Sequence, residues 1–168
     1  MEDLNSQNVK KTHTIETPMS TAAFPGTFDP FSVGHYDIVQ RALLLFDSLI
    51  VAIGVNVEKK TLYTVGERKA NIESLFAHDP RVSVQAYEGL TVDFCRKAGV
   101  THIVRGVRSS ADFAFELAAA QTNKAMLPEV DTVLLPALPE WAHVSSTIIR
   151  DILKNGGNAA QFLPTGNF

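Results

Sequence analysis

Short, apolar, β-branched runs alternate with segments of helical period along most of this chain, and few architectures accept that alternation. Residues 21–24 read as a first strand, ended by Pro25-Gly26, and LIVAIGV (49–55) as a continuous apolar strand of the kind covered on both faces. RVSVQAY (81–87) alternates as a third strand, THIVRGV (101–107) carries a fourth and DTVLLPA (131–137) a fifth. Between them, Ile38, Val39, Ala42, Leu43 and Phe46 keep i, i+3/i+4 spacing in a helix over 34–46. Thr64 and Glu67 form a capping box that opens a helix through Ala77. TVDFCRKAG is a helix closed by Gly99, and an Ala-rich helix runs over 111–126, stopped before Pro128. SSTIIRDILKNGG is a last helix, with a hydroxyl cap in front and Gly156-Gly157 behind. The pattern predicts a single α/β domain over 21–168, built on a five-stranded parallel sheet with right-handed crossovers. Residues 1–20 are polar and aperiodic and read as a tail outside it.

The chain has 168 residues, enough to bury a core without disulfide or metal staples. Its 15 Lys+Arg against 18 Asp+Glu leave a net charge of −3. A protein that coats nucleic acid carries a basic excess, so the charge excludes bulk nucleic-acid binding and leaves small phosphorylated ligands open. The single cysteine, Cys95, rules out an internal disulfide framework and a Cys-based zinc site, and reads as a buried structural thiol. No apolar run approaches the about 18 residues of a membrane span, and the polar N-terminus lacks a signal-peptide core. The expected compartment is the cytoplasm.

In doubly wound parallel sheets, ligands bind beyond the carboxyl ends of the strands, where strand order reverses. Three loops therefore matter. The first, PGTFDPFSVGH (25–35), is rich in glycine and proline and ends at Gly34-His35 on a helix start, where free N–H groups and the dipole favour phosphate. Spacing alone leaves His35 open between packing and ligand contact. The loop is no Walker A sequence, and no GxGxxG occurs, so the common kinase and dinucleotide fingerprints fail. The second loop carries Arg105 and Arg108 around Gly106, suited either to bidentate phosphate contacts or to salt bridges. Lys59-Lys60, after the second strand, is either a further charge for the site or a solvated pair.

The third loop leads through PEWAHV into Ser145, Ser146 and Thr147 at a helix start. One hydroxyl makes an N-cap; three exceed what a cap needs and suit a polyphosphate. Phe113 and Phe115 read as core, whereas Glu116 turns to the cleft. The chain carries no carboxylate dyad, Ser/His/Asp set or HExxH. Donors without a general base suit a nucleophile that is already ionised. A phosphomonoester, with a second pKa near about 6, is such a nucleophile at pH 7, and its attack on an α-phosphate needs positioning and charge stabilisation. Nucleotidyl transfer follows as the expected chemistry.

The motifs PGTFDPFSVGH (25–35), KK (59–60), GLTVDF (89–94), RGVRSSADFAFE (105–116) and PEWAHVSSTIIR (139–150) resemble those of the bacterial phosphopantetheine adenylyltransferases, in the nucleotidyltransferase superfamily, over 22–164. The resemblance implies a Rossmann-like sheet of order 3-2-1-4-5. It also implies reversible adenylyl transfer from ATP to 4′-phosphopantetheine, giving 3′-dephospho-coenzyme A and pyrophosphate, with Mg²⁺ accompanying ATP and no protein metal ligand assigned. His35 looks like the transition-state stabiliser, with Thr27 and Lys59 beside it in the reaction. Thr27, Lys59, Thr91 and Arg105 would bind phosphopantetheine. Thr27, Phe28, His35, Gly106, Val107, Arg108, Glu116 and the run Trp141, Ala142, His143, Val144, Ser145, Ser146, Thr147 would bind ATP. The family usually has Thr three residues before the motif histidine; Ser32 keeps the hydroxyl there. Dephospho-coenzyme A or coenzyme A as ligands, and a homo-hexamer of paired trimers, complete what the resemblance implies.

Overall fold

The computed structural model describes residues 19–56, 58 and 60–165. Its elements are β1 (Thr21–Gly26), α1 (Val33–Ala42), β2 (Ser48–Val55), α2 (Val65–Leu75), β3 (Val82–Glu88), α3 (Thr91–Ala98), β4 (His102–Val107), α4 (Ser110–Met126), β5 (Asp131–Pro136) and α5 (Ser146–Lys154), followed by a 3₁₀ turn, Ala160–Phe162. The strands form one parallel sheet of order β3-β2-β1-β4-β5, as the resemblance implied.

Period-two alternation explains how the central strands hold both layers. Ala22, Phe24, Leu49, Val51 and Ile53 face one side, where Ile38, Val39 and Ala42 of α1 and Ile72 of α2 pack. Ala23, Ile50, Ala52 and Ile103 face the other, against Val92, Phe94 and Cys95 of α3. With apolar residues on both sides, β1 and β2 need a helix layer on each. Cys95 is buried, and desolvation pushes its thiol up to about 11, so it stays protonated and inert.

Three boundaries differ from expectation, and the first matters to the site. β1 does not end at Phe24. Pro25 and Gly26 continue the ladder with Ala52 and Ile53 of β2. On the other flank β1 pairs β4 only through Ala22 and Ala23, so proline sits where that ladder has already opened. The Pro25 carbonyl left there accepts from the Arg105 guanidinium. The divergence of β1 and β4 is the switch point of the sheet. In the first helix, regular turns stop at Ala42, and Leu43 to Phe46 form a tight turn into β2. α2 likewise ends at Leu75, two residues short of Ala77, while its Thr64–Glu67 capping box is present as expected.

Phe113 and Phe115 are not core: they are 47% and 70% exposed. In α4 it is Glu116, Ala119, Ala120 and Asn123 that share one i, i+3/i+4/i+7 stripe along a cavity wall. Phe113 falls off that stripe, and Phe115 borders the same cavity while staying largely exposed. Among the described residues no helix is long and apolar enough to cross a membrane.

Candidate active site

The carboxyl ends of β1, β4 and β5 and the start of α5 enclose a cleft of about 540 Å³. Thr27, Phe28, His35, Arg105, Gly106, Arg108, Glu116, Trp141, Val144, Ser145, Ser146 and Thr147 all line it, so three loops far apart in sequence meet there. A second cavity of about 390 Å³ adjoins it and holds Thr91, whose hydroxyl is 2.8 Å from that of Tyr87. Pro25, Gly26, Thr27, Arg105 and Glu116 line both cavities. Val107, Ala142 and His143 lie outside the cleft lining; the His143 ring packs edge-on against Phe162. Lys59 lies outside the described residues, and its neighbour Lys60 lines the cleft.

His35 stands in the first turn of α1, on the cleft floor. Ser32 caps that helix, and the pair forms a reciprocal capping box: the Ser32 hydroxyl accepts from the His35 amide at 3.4 Å, and the Ser32 amide donates to His35 Nδ1 at 3.0 Å. Because Nδ1 accepts, the proton of the neutral ring sits on Nε2. Burial first, and then the charges of Arg105 and Arg108, hold the imidazole pKa down at about 3, so the ring is neutral at pH 7. Phe28 meets the ring edge-on at a centroid distance of 5.1 Å, and Phe31 lies 5.3 Å away. The Phe28 ring is only 3% exposed. Its backbone takes φ 51°, in the left-handed region that costs a non-glycine residue about 1–2 kcal/mol.

The arginines are ion-paired and also face the cleft. Arg105 forms a two-point contact with Glu116, Nε to Oε2 at 2.8 Å and Nη2 to Oε1 at 2.5 Å. Arg108 pairs with Asp112 at 2.9 Å and reaches the Val144 carbonyl at 3.3 Å, tying the second loop to the third. Of the three hydroxyls, Ser145 makes the N-cap, accepting from the Ile148 amide at 3.2 Å. Ser146 donates to the Pro30 carbonyl at 2.9 Å, and Thr147 accepts from Arg150 at 3.1 Å. Ser146 thus docks α5 onto the first loop, and Thr147 steadies Arg150, which reaches the same loop, while both hydroxyl residues line the cleft.

Three charged residues that hold the site were not singled out from the sequence. Asp29 is 2% exposed and accepts from the amides of Leu62 and Tyr63 at 2.8 and 2.9 Å. Arg150 donates to the Asp29 carbonyl at 2.6 Å, and buried Arg68 donates to the Thr27 carbonyl at 2.5 Å. Together they lock the first loop to the segment before α2 and to α5. The only sequence signal was an acid between aromatic and proline in an otherwise apolar loop; its partners lie 33, 34 and 121 positions away.

Among the described residues, each carboxylate and imidazole that lines the cleft has a partner. Both Asp29 oxygens take amides, Asp112 and Glu116 take guanidinium groups, and His35 Nδ1 takes an amide. What faces the cavity is a set of donors. Among the described residues no three His, Cys, Asp or Glu side chains gather into a metal site.

Comparison with known proteins identifies the family and the fold. Residues 23–152 match the model of a family described as cytidylyltransferase-like. A protein of Flavobacterium psychrophilum named phosphopantetheine adenylyltransferase is 46% identical over 146 residues, covering 87% of this chain and 96% of that one. One of the same name from Phocaeicola vulgatus is 47% identical over 148 residues, covering 88% and 97%. Among solved structures, a bifunctional NMN adenylyltransferase/ADP ribose pyrophosphatase from Francisella tularensis superposes with a TM-score of 0.67 at 19% identity. The match covers 86% of this chain and 45% of that one, so this chain spans less than half its length. At that identity the likeness is one of fold.

Proposed function

Since the chain belongs to the phosphopantetheine adenylyltransferase family, within the cytidylyltransferase-like proteins, and is a nucleotidyltransferase, we propose that it transfers the adenylyl group of ATP to 4′-phosphopantetheine in coenzyme A synthesis, in line and without a general base. A phosphate oxygen of the acceptor bonds to the α-phosphorus as the bond from that phosphorus to the bridging oxygen breaks. Pyrophosphate leaves with the electron pair, and 3′-dephospho-coenzyme A remains. The acceptor phosphate is already a dianion at pH 7, so no proton has to be removed.

The observation that carries this reading is that His35, Asp29, Asp112 and Glu116, the described imidazole and carboxylates of the cleft, each have a partner, with Nε2–H of His35 left to donate. A neutral donor fixed by the Ser32 amide meets charge as it grows on the α-phosphate and needs no reorganisation to do so. Thr27 and Arg105 lie on the wall common to both cavities, where acceptor phosphate and α-phosphate would meet. Arg108 and the amide end of α5 would take the β- and γ-phosphates, helped by the helix dipole. The pantetheine arm would run past Thr91. Asp112 and Glu116 are paired with arginines, so Mg²⁺ would be held mainly by the phosphates of ATP and would supply charge neutralisation there, while Arg105 and Arg108 keep their orientation in the cleft. A homo-hexamer is the assembly that goes with this family reading, and light scattering measures it.

An acceptor panel with pyrophosphate detection tests the function. Release with 4′-phosphopantetheine and none with nicotinamide mononucleotide or glycerol phosphate is expected. Turnover with either of the latter, and none with phosphopantetheine, overturns the acceptor assignment.

A further inference from the structure

Tyr87 lines the second cavity from the edge strand β3, where it pairs in register with Gly54 of β2. Its ring packs against Phe94 of α3 at a centroid distance of 4.8 Å. Gly54 makes room for its far end: a Cβ there would stand 3.5 Å from the phenol oxygen and 3.8 Å from the Gly26 carbonyl. The hydroxyl of an edge-strand residue is thereby carried over β2 towards the carboxyl end of β1. It lies 2.8 Å from the hydroxyl of Thr91, and among the described residues neither has another hydrogen-bond partner. Thr91 opens α3, yet that helix takes no side-chain cap, so the fold makes no use of its hydroxyl. The proton count of the pair is the same whichever oxygen donates. Each hydroxyl has one proton; one of them makes the mutual bond and the other is left to donate. The hydroxyl that accepts the mutual bond is polarised by it and becomes the better donor. Around the pair the lining includes Val55, Ile103, Ala119 and Ala120, whose side chains offer a ligand cover but no hydrogen bond.

We propose that the Tyr87–Thr91 hydroxyl pair is a specificity-determining contact for the acceptor, donating its spare proton to an amide carbonyl of the pantetheine arm. An amide taken from water into a partly apolar cavity loses its solvent partners, so a donor placed there favours arms that carry one. Glycerol phosphate, which has no amide, gains nothing from it. The inference rests on phosphopantetheine being the acceptor, as proposed above, and the two can fail separately.

The test is steady-state kinetics on the full chain, in both directions, for Y87F, T91V and the double variant. Each change removes a hydroxyl and nearly keeps the shape. The double variant should raise the KM for phosphopantetheine about five- to tenfold, the scale of one neutral hydrogen bond, with kcat and the KM for ATP unchanged. In reverse, the KM for 3′-dephospho-coenzyme A, which carries the same arm, should rise by the same factor, and that for pyrophosphate should not move. Of the single variants, the one that lacks the hydroxyl holding the spare proton should match the double, and the other should fall short of it. T91S keeps the hydroxyl and should retain the wild-type KM. An acceptor KM within about twofold of the wild type in the double variant overturns the proposal. So does an equal rise in the KM for ATP and pyrophosphate, which marks a general distortion of the cleft. Should the double variant not fold, an unchanged acceptor KM in both single variants overturns it equally. Wild-type protein that turns over only another acceptor removes the assignment of phosphopantetheine itself, and the proposal with it.

Discussion

The backbone amide of Ser32 donates to Nδ1 of His35 at 3.0 Å, so the proton of the cleft imidazole is placed by main chain. The serine hydroxyl, 3.1 Å from the same nitrogen, is an accessory. Ser32→Ala should therefore cost about 1 kcal/mol of stability through the lost helix cap. It should change kcat only a few-fold, since the amide remains. Urea denaturation and pyrophosphate release measured side by side would check both parts.

His35→Ala removes the donor itself. The expected fall in kcat is about 10²–10³, the scale for deleting one transition-state hydrogen bond, with little change in either KM. Wild-type turnover in this variant would end the role given to the imidazole.

The depressed pKa of His35 has a consequence for stability. Its ordinary value is 6.5 and its folded value about 3, so between these the unfolded chain holds a proton that the folded chain does not. This contribution is fully present above pH 6.5 and is lost as pH falls towards 3. The urea midpoint of the wild type should drop more steeply from pH 7.5 to pH 5 than that of His35→Gln. Nor should His35 produce an acidic limb near pH 6.5 in kcat.

Asp29→Ala should be among the most damaging substitutions outside the reacting groups. It strands the amides of Leu62 and Tyr63 and removes the nearest carboxylate from Arg150. A loss of about 2–4 kcal/mol is expected, or roughly 5–15 °C in Tm for a chain of this size. Asp29→Asn should recover less than half, because its NH₂ faces a donor. Calorimetry of the two variants decides.

Gly26 has to lack a side chain. A Cβ there would stand 2.7 Å from Cζ of Phe28, whose ring supports His35. Gly26→Ala should thus lower kcat by displacing the imidazole and cost about 1–3 kcal/mol as an overpacked core substitution does. An unchanged kcat beside a lowered Tm would show that the ring shifts without carrying His35 along.

The sheet was legible in the chain because burial on two faces writes itself as local pattern. LIVAIGV can satisfy no other environment, and the Thr64–Glu67 box and Gly99 punctuate their helices with short-range hydrogen bonds. The anion-binding loops were legible for a similar reason, since the glycines, hydroxyls and arginines are contiguous in each. What required the tertiary structure was the set of partners. Whether Arg105 answers to a phosphate or to Glu116, why Pro25 stays in a strand, and what a buried Asp29 is for all depend on groups dozens of positions away. Phe113 and Phe115 were misplaced on the same account, because hydrophobicity says that a side chain prefers cover and not which face of α4 finds it. Local pattern reports what a residue can do; the long-range closure of β1 away from β4 decided what each one does.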